Sequence, residues 1–443
     1  MITLYNTVTQ KKEILSFVEG KPLLLYVCGI TPYDYAHVGH GRCYIMFDVL
    51  YRLCKFHKKN ILYCRNFTDI DDKLLQKAHD EYNDKHRYMQ IAQRYIDAYL
   101  EDMEALHCTF PDYQPRVTEV IPDIISFIEA LVAKGNAYVV DGDVYFRVKS
   151  FAPYGTLAKK NLEDLQVGAR VEENKAKENP LDFVLWKSEP EGTFWKSPWG
   201  YGRPGWHTEC CVMAEKFLGK TIDIHGGGMD LMFPHHENER AQAESLFKVP
   251  FSKQWMHIAF VRMDKEKMSK SLGNFFTLRQ IFSVFDPMVV RFYMLNHHYR
   301  SPLDFSFQDL EVAEKTYRRL CSVFNQKSCP LTLSEIAHHE SPIMKKMLDF
   351  VNDDLNIVGM WGILFQHIDT LDDELCTIKA FIQNVLGLSL EPLAQKIICI
   401  TPEIQALIDQ RTRARAEKNW KLADELRDAL AALGVDIQDK KIN

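Results

Sequence analysis

An α/β fold built around a parallel sheet is what this sequence predicts, and three observations predict it. Leu23-Leu24-Leu25-Tyr26-Val27 is a continuous apolar run, the pattern of a strand buried on both faces. It leads through Cys28-Gly29-Ile30-Thr31-Pro32 into a stretch where Met46, Leu50 and Leu53 recur at helical spacing, so a strand passes into a helix. Strands are also expected at Ile61-Leu62-Tyr63-Cys64 and, buried, at Thr221-Ile222-Asp223-Ile224. In open α/β sheets, ligands bind in the crevice outside the carboxyl ends of such strands. The turn from Cys28 to Arg42 is therefore the first candidate site. Gly39 and Gly41 let a ligand approach the backbone, and His37 and His40 offer imidazole donors to a phosphate chain at a helix N-terminus. The competing reading is a glycine-containing turn with two surface histidines.

Composition sets the bounds. A chain of 443 residues, 46% hydrophobic and 26% charged, is an ordinary globular protein of about two to four domains. A net charge of −6 argues against indiscriminate nucleic-acid binding while leaving room for a local basic groove. The eleven cysteines contain no Cys-x-x-Cys pair, which fits reduced thiols better than a disulfide framework. The start lacks a basic segment followed by an apolar one, and no later run approaches membrane-span length. A cytoplasmic protein with no membrane partner is expected. No internal repeat or low-complexity segment is present.

Beyond the second strand, Asn66 to Lys73 reads as a strand end passing into an acid-rich helix start, which needs no function to explain it. A long helical stretch is expected to about Glu104, and another from Pro122 to Lys134, closed by Gly135. Tyr138-Val139-Val140 and Val144-Tyr145-Phe146 flank Asp141-Gly142-Asp143, a hairpin signal. Residues 150–205 read as a loop-rich insertion whose Trp186, Trp195 and Trp199 serve packing, whereas Gly205 to Cys210 bring the ring of Trp206, an imidazole and a thiol together before a helix. Three glycines, Gly226, Gly227 and Gly228, follow the strand at 221–224 and precede Asp230; they bring backbone close to a ligand or simply make a tight turn.

His235 and Glu239 stand four apart, on one helix face and able to grip one metal ion, with His236 pointing away. Such a pair is also the pattern of a surface ion pair, and it is not the zincin motif. Cys28 and Cys210, each at a strand end or helix start, would complete a Cys₂-His-Glu set for zinc. Finally, Lys267-Met268-Ser269-Lys270-Ser271 places two lysines three apart in a glycine-flanked loop. Such a loop can swing onto a polyphosphate and offset the charge building on a departing pyrophosphate; alone, it is also an ordinary solvated turn.

Taken together, these motifs carry a resemblance. His37-Val38-Gly39-His40 resembles the His-Ile-Gly-His signature of class I aminoacyl-tRNA synthetases, and Lys267 to Ser271 is identical to their Lys-Met-Ser-Lys-Ser loop. Within that class the chain looks like the cysteinyl family over residues 20 to about 435, most specifically at 28–42, 66–73, 197–210, 225–239 and 267–276. The resemblance implies a Rossmann-type catalytic domain in two halves, 1–140 and 206–260, around an inserted subdomain at 141–205. It further implies a loop and stem-contact region at 261–306, a helical tRNA-binding bundle at 307–395 and a small helical domain at 396–443.

It also assigns roles. Cys28, Cys210, His235 and Glu239 correspond to ligands of one zinc ion per subunit that takes the substrate thiolate directly. Gly29, Thr31, His37, Thr68 and Trp206 correspond to the amino-acid site; Gly39, His40, Gly227, Asp230 and Lys270 to the Mg²⁺-ATP site; and His37, His40, Lys267 and Lys270 to the catalytic groups. ATP, L-cysteine and tRNA(Cys) are the implied partners of a monomeric enzyme. The chemistry agrees, because shape rejects a hydroxyl isostere only about a hundredfold, whereas a soft thiolate ligates zinc far better than a serine hydroxyl. Arg411, Arg413, Arg415, Lys418 and Lys421 give the last helices a basic character beside Trp420, suited to an anticodon loop.

Pro32 stands where Val is usual, Cys211 puts a second thiol beside a ligand, and the final residues lack the Gly-Thr-x-Trp-Arg ending common in bacterial members. Two rivals remain: a cysteine-dependent ATP ligase acting on an amino sugar, and a non-catalytic tRNA-binding paralogue. The helical C-terminal third opposes the first, and intact His37, His40, Lys267 and Lys270 oppose the second.

Overall fold

The computed structural model describes residues 1–160, 177–263, 266–267, 276–325, 341–394, 402–417 and 419–432. The chain opens with an antiparallel pair, β1 (Thr3–Asn6) and β2 (Lys11–Ile14). The apolar run forms β3 (Leu23–Ile30), followed by α1 (Val38–Phe56) and β4 (Ile61–Phe67). The helical stretch expected to run to Glu104 is two helices, α2 (Asp72–Tyr82) and α3 (Tyr88–Ala105). Asn83, in the left-handed region, ends the first of them. α4 (Ile121–Ala133) leads through Gly135, at φ +75°, into β5 (Ala137–Val140) and β6 (Asp143–Phe146). The last two form the expected hairpin, with Asp141 and Gly142 both at positive φ.

The tryptophan-rich stretch is more ordered than expected. β7 (Phe183–Ser188), β8 (Trp195–Ser197) and β9 (Gly200–Pro204) join the hairpin in one antiparallel sheet, ordered β5-β6-β7-β9-β8. Gly200, Gly202 and Pro204 interrupt the alternation that would betray a strand. Trp186 is fully buried there and packs on Trp199, ring centroids 6.2 Å apart, which is the packing role expected of these rings.

α5 (Trp206–Leu218), β10 (Ile222–Gly228), α6 (Glu237–Phe247) and β11 (Ser252–Ile258) complete the main sheet. Its order is β11-β10-β3-β4 and every pairing is parallel. The three glycines are thus strand rather than turn, with Gly228 paired to Ile258. A Cβ on Gly226 would lie 2.3 Å from the Phe47 ring, so glycine there lets α1 lie close against the sheet. The chain moves outward from β3 to β4 on one side, and β10 and β11 extend the sheet on the other. The crevice between β3 and β10 is therefore a topological switch point.

β12 (Val261–Met263) pairs with β13 (Glu266–Lys267); α7 (Leu278–Phe282) and α8 (Pro287–Leu295) follow, and β14 (Leu303–Asp304) returns to pair with β12. Helices α9 (Phe307–Phe324), α10 (Pro342–Asn352), α11 (Ile357–His367) and α12 (Leu375–Phe381) come next. The break expected at Cys329-Pro330 lies outside the described residues, whereas Gly387 ends its helical segment at φ +66°. A fully buried Arg291 on α8 pairs with Asp48 of α1 and donates from Nε to the Leu386 carbonyl and from Nη1 to that of Leu106, both at 2.7 Å. The ion pair joins α8 to α1, and the bond to Leu386 ties both to the helices after them.

Residues 392–443 form a separate compact unit. In it α13 (Pro402–Ala416) and α14 (Trp420–Ala432) pack through Ala414, Ala423 and Leu426. Arg411, expected on the basic face, is buried, while Trp420 is exposed. Among the described residues eight cysteines are free and buried, and Cys376 is disulfide-bonded. Among the described residues no helix is long and apolar enough to cross a membrane.

Candidate active site and metal centre

His37 caps α1. Its Nδ1 accepts from the His40 backbone N–H, and the His40 Nδ1 accepts from the His37 N–H, both at 3.2 Å. The rings stack with centroids 3.7 Å apart. Because each Nδ1 is an acceptor, each neutral ring carries its proton on Nε2, the nitrogen that donates. Two imidazole donors are thus set side by side at a helix N-terminus.

They face a cleft of about 540 Å³ at the carboxyl ends of β3, β10 and β11. Gly29, Thr31, His37, Gly39, His40, Trp206 and Asp230 all line it, as does Cys28. Two sequence-derived candidates sit elsewhere. Gly227 is buried, and a Cβ there would meet Leu231 and His236; Gly228, one residue on, lines the cleft instead. Thr68 is buried behind the wall, its hydroxyl receiving from Asn66 Nδ2 at 3.3 Å and donating to Glu209 at 2.8 Å. Lys267 ends β13, and Lys270 lies outside the described residues.

At the inner end of the cleft, four donor groups from three distant segments converge. Cys28 comes from β3, Cys210 from the second turn of α5, His235 from the short segment just before α6, and Glu239 from the first turn of α6. Their ligand atoms all lie within 4.8 Å of one another and all four residues are buried. The closest approaches are His235 Nε2 to Glu239 at 3.0 Å and Cys28 Sγ to Glu239 at 3.4 Å. The two sulfurs are 3.7 Å apart, and Cys210 Sγ is 3.7 Å from His235 Nε2.

Electrostatics divide the donor set: Cys210 and Glu239 are held toward their charged forms, whereas burial, Cys210 and Glu239 push the Cys28 thiol well up. Burial would push the Cys210 thiol up, yet hydrogen bonds with Cys28 and His235 bring it down to about 6. Burial likewise opposes a charged Glu239, but the imidazoles of His225 and His235 hold it well below the usual carboxylate range. His235 is pushed up to about 10 against its burial, chiefly by Glu239. The His235 Nδ1 meets His207 Nδ1 at 3.0 Å, which leaves Nε2 aimed at the donor cluster. Two thiols, an imidazole and a carboxylate at this spacing fit zinc.

Sequence reasoning erred on His236, which does not point away. It is fully buried with Nε2 3.3 Å from Cys28 Sγ and Nδ1 2.9 Å from His257. His236 and Glu239 stand three apart, a spacing that also shares a helix face, and His236 Nε2 lies 4.0 Å from the Glu239 carboxylate. Cys211 raises no ambiguity, because its thiol donates to the Glu239 carbonyl at 3.2 Å and turns from the donor atoms. His225 and Glu209 went unnoticed. His225 Nε2 holds the second oxygen of Glu239 at 2.7 Å from inside β10, and nothing in a glycine-rich strand marks it beforehand.

A switch-point cleft, paired histidines at its helix N-terminus and a metal-ready end define a class I aminoacyl-tRNA synthetase fold. Solved structures agree on the fold. The methionyl-tRNA synthetase of Mycobacterium tuberculosis in complex with methionyl-adenylate superposes with a TM-score of 0.60 at 14% identity, covering 84% of this chain and 92% of that one. The ternary LeuRS–tRNA–LeuAMS complex of Agrobacterium radiobacter K84 gives 0.59 at 11% identity, covering 84% of each chain.

A family model for the catalytic domain of class I (C) tRNA synthetases matches residues 14–315, and one for the cysteinyl-tRNA ligase anticodon-binding domain matches 400–442. A cysteine–tRNA ligase of Geobacillus sp. (strain WCH70) is 44% identical, covering 99% of this chain and 97% of that protein. One from Persephonella marina is 42% identical, covering 100% and 98%. The chain belongs to the cysteine–tRNA ligase family.

Proposed function

We propose that this chain joins L-cysteine to tRNA(Cys) in two steps within the cleft, acting as a cytoplasmic monomer. In the first, the cysteine carboxylate oxygen attacks the α-phosphorus of Mg²⁺-ATP; the bond to the bridging oxygen breaks, and cysteinyl-adenylate and pyrophosphate form. In the second, a hydroxyl of the terminal ribose attacks the cysteinyl carbonyl, its proton is lost, and AMP leaves. No covalent bond to the protein is required, so positioning and charge stabilisation carry the rate.

Cys28, Cys210, His235 and Glu239 are the residues that hold zinc in this reading. Zinc, when bound, supplies a soft Lewis acid that favours a thiolate over a hydroxyl. Trp206 stacks on His235, ring centroids 4.3 Å apart, and closes the amino-acid end as an aromatic wall. Gly29 and Thr31 border the substrate's polar end. Thr68 acts through the wall by its bond to Glu209. His37 and His40 donate from Nε2 to the phosphates beside Gly39, Asp230 borders the nucleotide, and Lys267 and Lys270 offset charge on the pyrophosphate. Residues 307–395 and 396–443 hold the tRNA.

The observation that carries this reading is the convergence of four buried donors within 4.8 Å at the end of a nucleotide-type cleft. Cysteine-dependent ATP–pyrophosphate exchange, followed by charging of tRNA(Cys) with serine as control, tests it. Exchange and charging with cysteine alone are expected. Exchange without charging would favour the amino-sugar ligase, and no exchange would favour a binding paralogue.

A further inference from the structure

Arg42 closes the sequence motif that begins at Cys28, yet no role has been given to it. It sits in the second turn of α1, the helix capped by His37, and is 1% exposed. Among the described residues it has no carboxylate partner. Its guanidinium is held instead by four backbone carbonyls from two distant segments. Nη1 donates to Ala259 at 3.1 Å and Phe260 at 3.0 Å, and Nη2 donates to His298 at 3.0 Å and to Ser301. Burial lowers this guanidinium to about 10, which leaves it charged at neutral pH. A buried cation solvated by carbonyls alone loses its solvation if any of those segments moves.

Both segments matter to the cleft. Ile258, Ala259, Phe260 and Val261 form the wall facing His37 and His40. The same stretch runs into β12, which pairs with β13, so its geometry sets the foot of the hairpin ending in Lys267. The loop at 298–301 braces that foot from behind: Ala259 N–H donates to the Tyr299 carbonyl at 2.8 Å and Leu303 N–H to that of Phe260 at 3.0 Å.

We propose that Arg42 is a positioning residue for the nucleotide. From the helix that carries the two histidines it fixes the opposite wall of the cleft and the base of the Lys267 hairpin, so both sides of the polyphosphate site are referred to one guanidinium. The inference rests on reading this cleft as the ATP site. Lysine cannot replace it, because an ammonium on a single point cannot span four carbonyls in two segments.

Pyrophosphate exchange by the full chain, with ATP and cysteine varied separately, tests this in Arg42→Lys and Arg42→Gln, and either variant that melts cooperatively is scored. The KM for ATP should rise about tenfold or more and kcat should fall. The KM for cysteine should stay within about twofold, with zinc content unchanged. A folded variant with the ATP KM of the natural chain would overturn the proposal, and so would a parallel rise in both KM values, the mark of a general packing role. Absence of exchange by the natural chain would instead overturn the reading of the cleft, and this inference with it.

Discussion

Replacing Gly29 by alanine tests whether the metal centre depends on the close approach of β3 and β4. Gly29 lies on β3 where the register with β4 shifts between Val27 and Ile30. A Cβ there would fall 1.6 Å from the Asn66 carbonyl oxygen and 2.6 Å from its carbon. Ordinary contact begins near 3.4 Å, so the backbone must part by about 1.8 Å, the difference of the two. Both contacts are main chain, and no side chain can swing aside to absorb the strain. The hydrogen bond from Gly29 N–H to Asn66 Oδ1, now 2.9 Å, lengthens, and Cys28 moves with its neighbour. Metal sites tolerate about 0.2 Å in ligand distance, so zinc affinity should fall by about 10- to 100-fold. Overpacking should also cost about 1–3 kcal/mol. Zinc retained after dialysis against graded chelator, with urea unfolding alongside, reads both effects. Full retention of zinc with unchanged selectivity for cysteine over serine would refute the reasoning.

Cys210→Ser should weaken zinc retention and the discrimination against serine while leaving the KM for ATP nearly unchanged, as separate exchange assays would read. Arg291→Met, which leaves Asp48 to Arg52 and the Thr109 N–H and unpairs two buried carbonyls, should destabilise the chain by about 3 kcal/mol in urea unfolding. Burial would raise the Asp48 carboxyl, but Arg291 and Arg52 hold it below its ordinary 3.8. Its contribution is therefore complete above that pH and is lost as pH falls through the lower folded value; Asp48→Asn should thus differ most from the natural chain at neutral pH and converge with it in acid. Gly362→Ala, on an open face of α11 where a Cβ meets nothing within 4 Å, should stabilise the helix by up to about 1 kcal/mol.

The parts of the site that could be read beforehand were those whose chemistry depends on local spacing. His37 and His40 cap a helix three residues apart, and His235 with Glu239 meets at one helical turn, so the residues declare the geometry. Cys28 and Cys210 joined them only through their places at a strand end or helix start, and the family resemblance made the set specific, because no local pattern specifies a contact across 182 residues. His225 escaped because its partner, Glu239, lies fourteen residues away on a different element. His236 was misjudged because a residue three from Glu239 shares its helix face as well as one four away does. The sheet at 183–204 was hidden by glycines that permit close strand packing but erase the alternation a strand normally shows.

The charges on α1 explain why this helix, more than the loops around it, organises the molecule. Fourteen of its nineteen residues are buried and its last turns, at Tyr51, Arg52 and Lys55, open to solvent, so it shows no clean amphipathic stripe to announce its place. On its buried length a charged residue cannot be a surface ornament; it must be held by something specific. Arg42, near the N-terminus, is held by the wall and hairpin foot opposite the histidines. Asp48, six residues on, is held by Arg291, which also reaches Leu386 at the end of the following helices. The two charges therefore attach the first half and the middle of one rigid element to the cleft wall and to the helical region beyond. Displacing α1 along its axis would have to break both attachments together, and that fixes the distance between the chemistry and the helices that follow it.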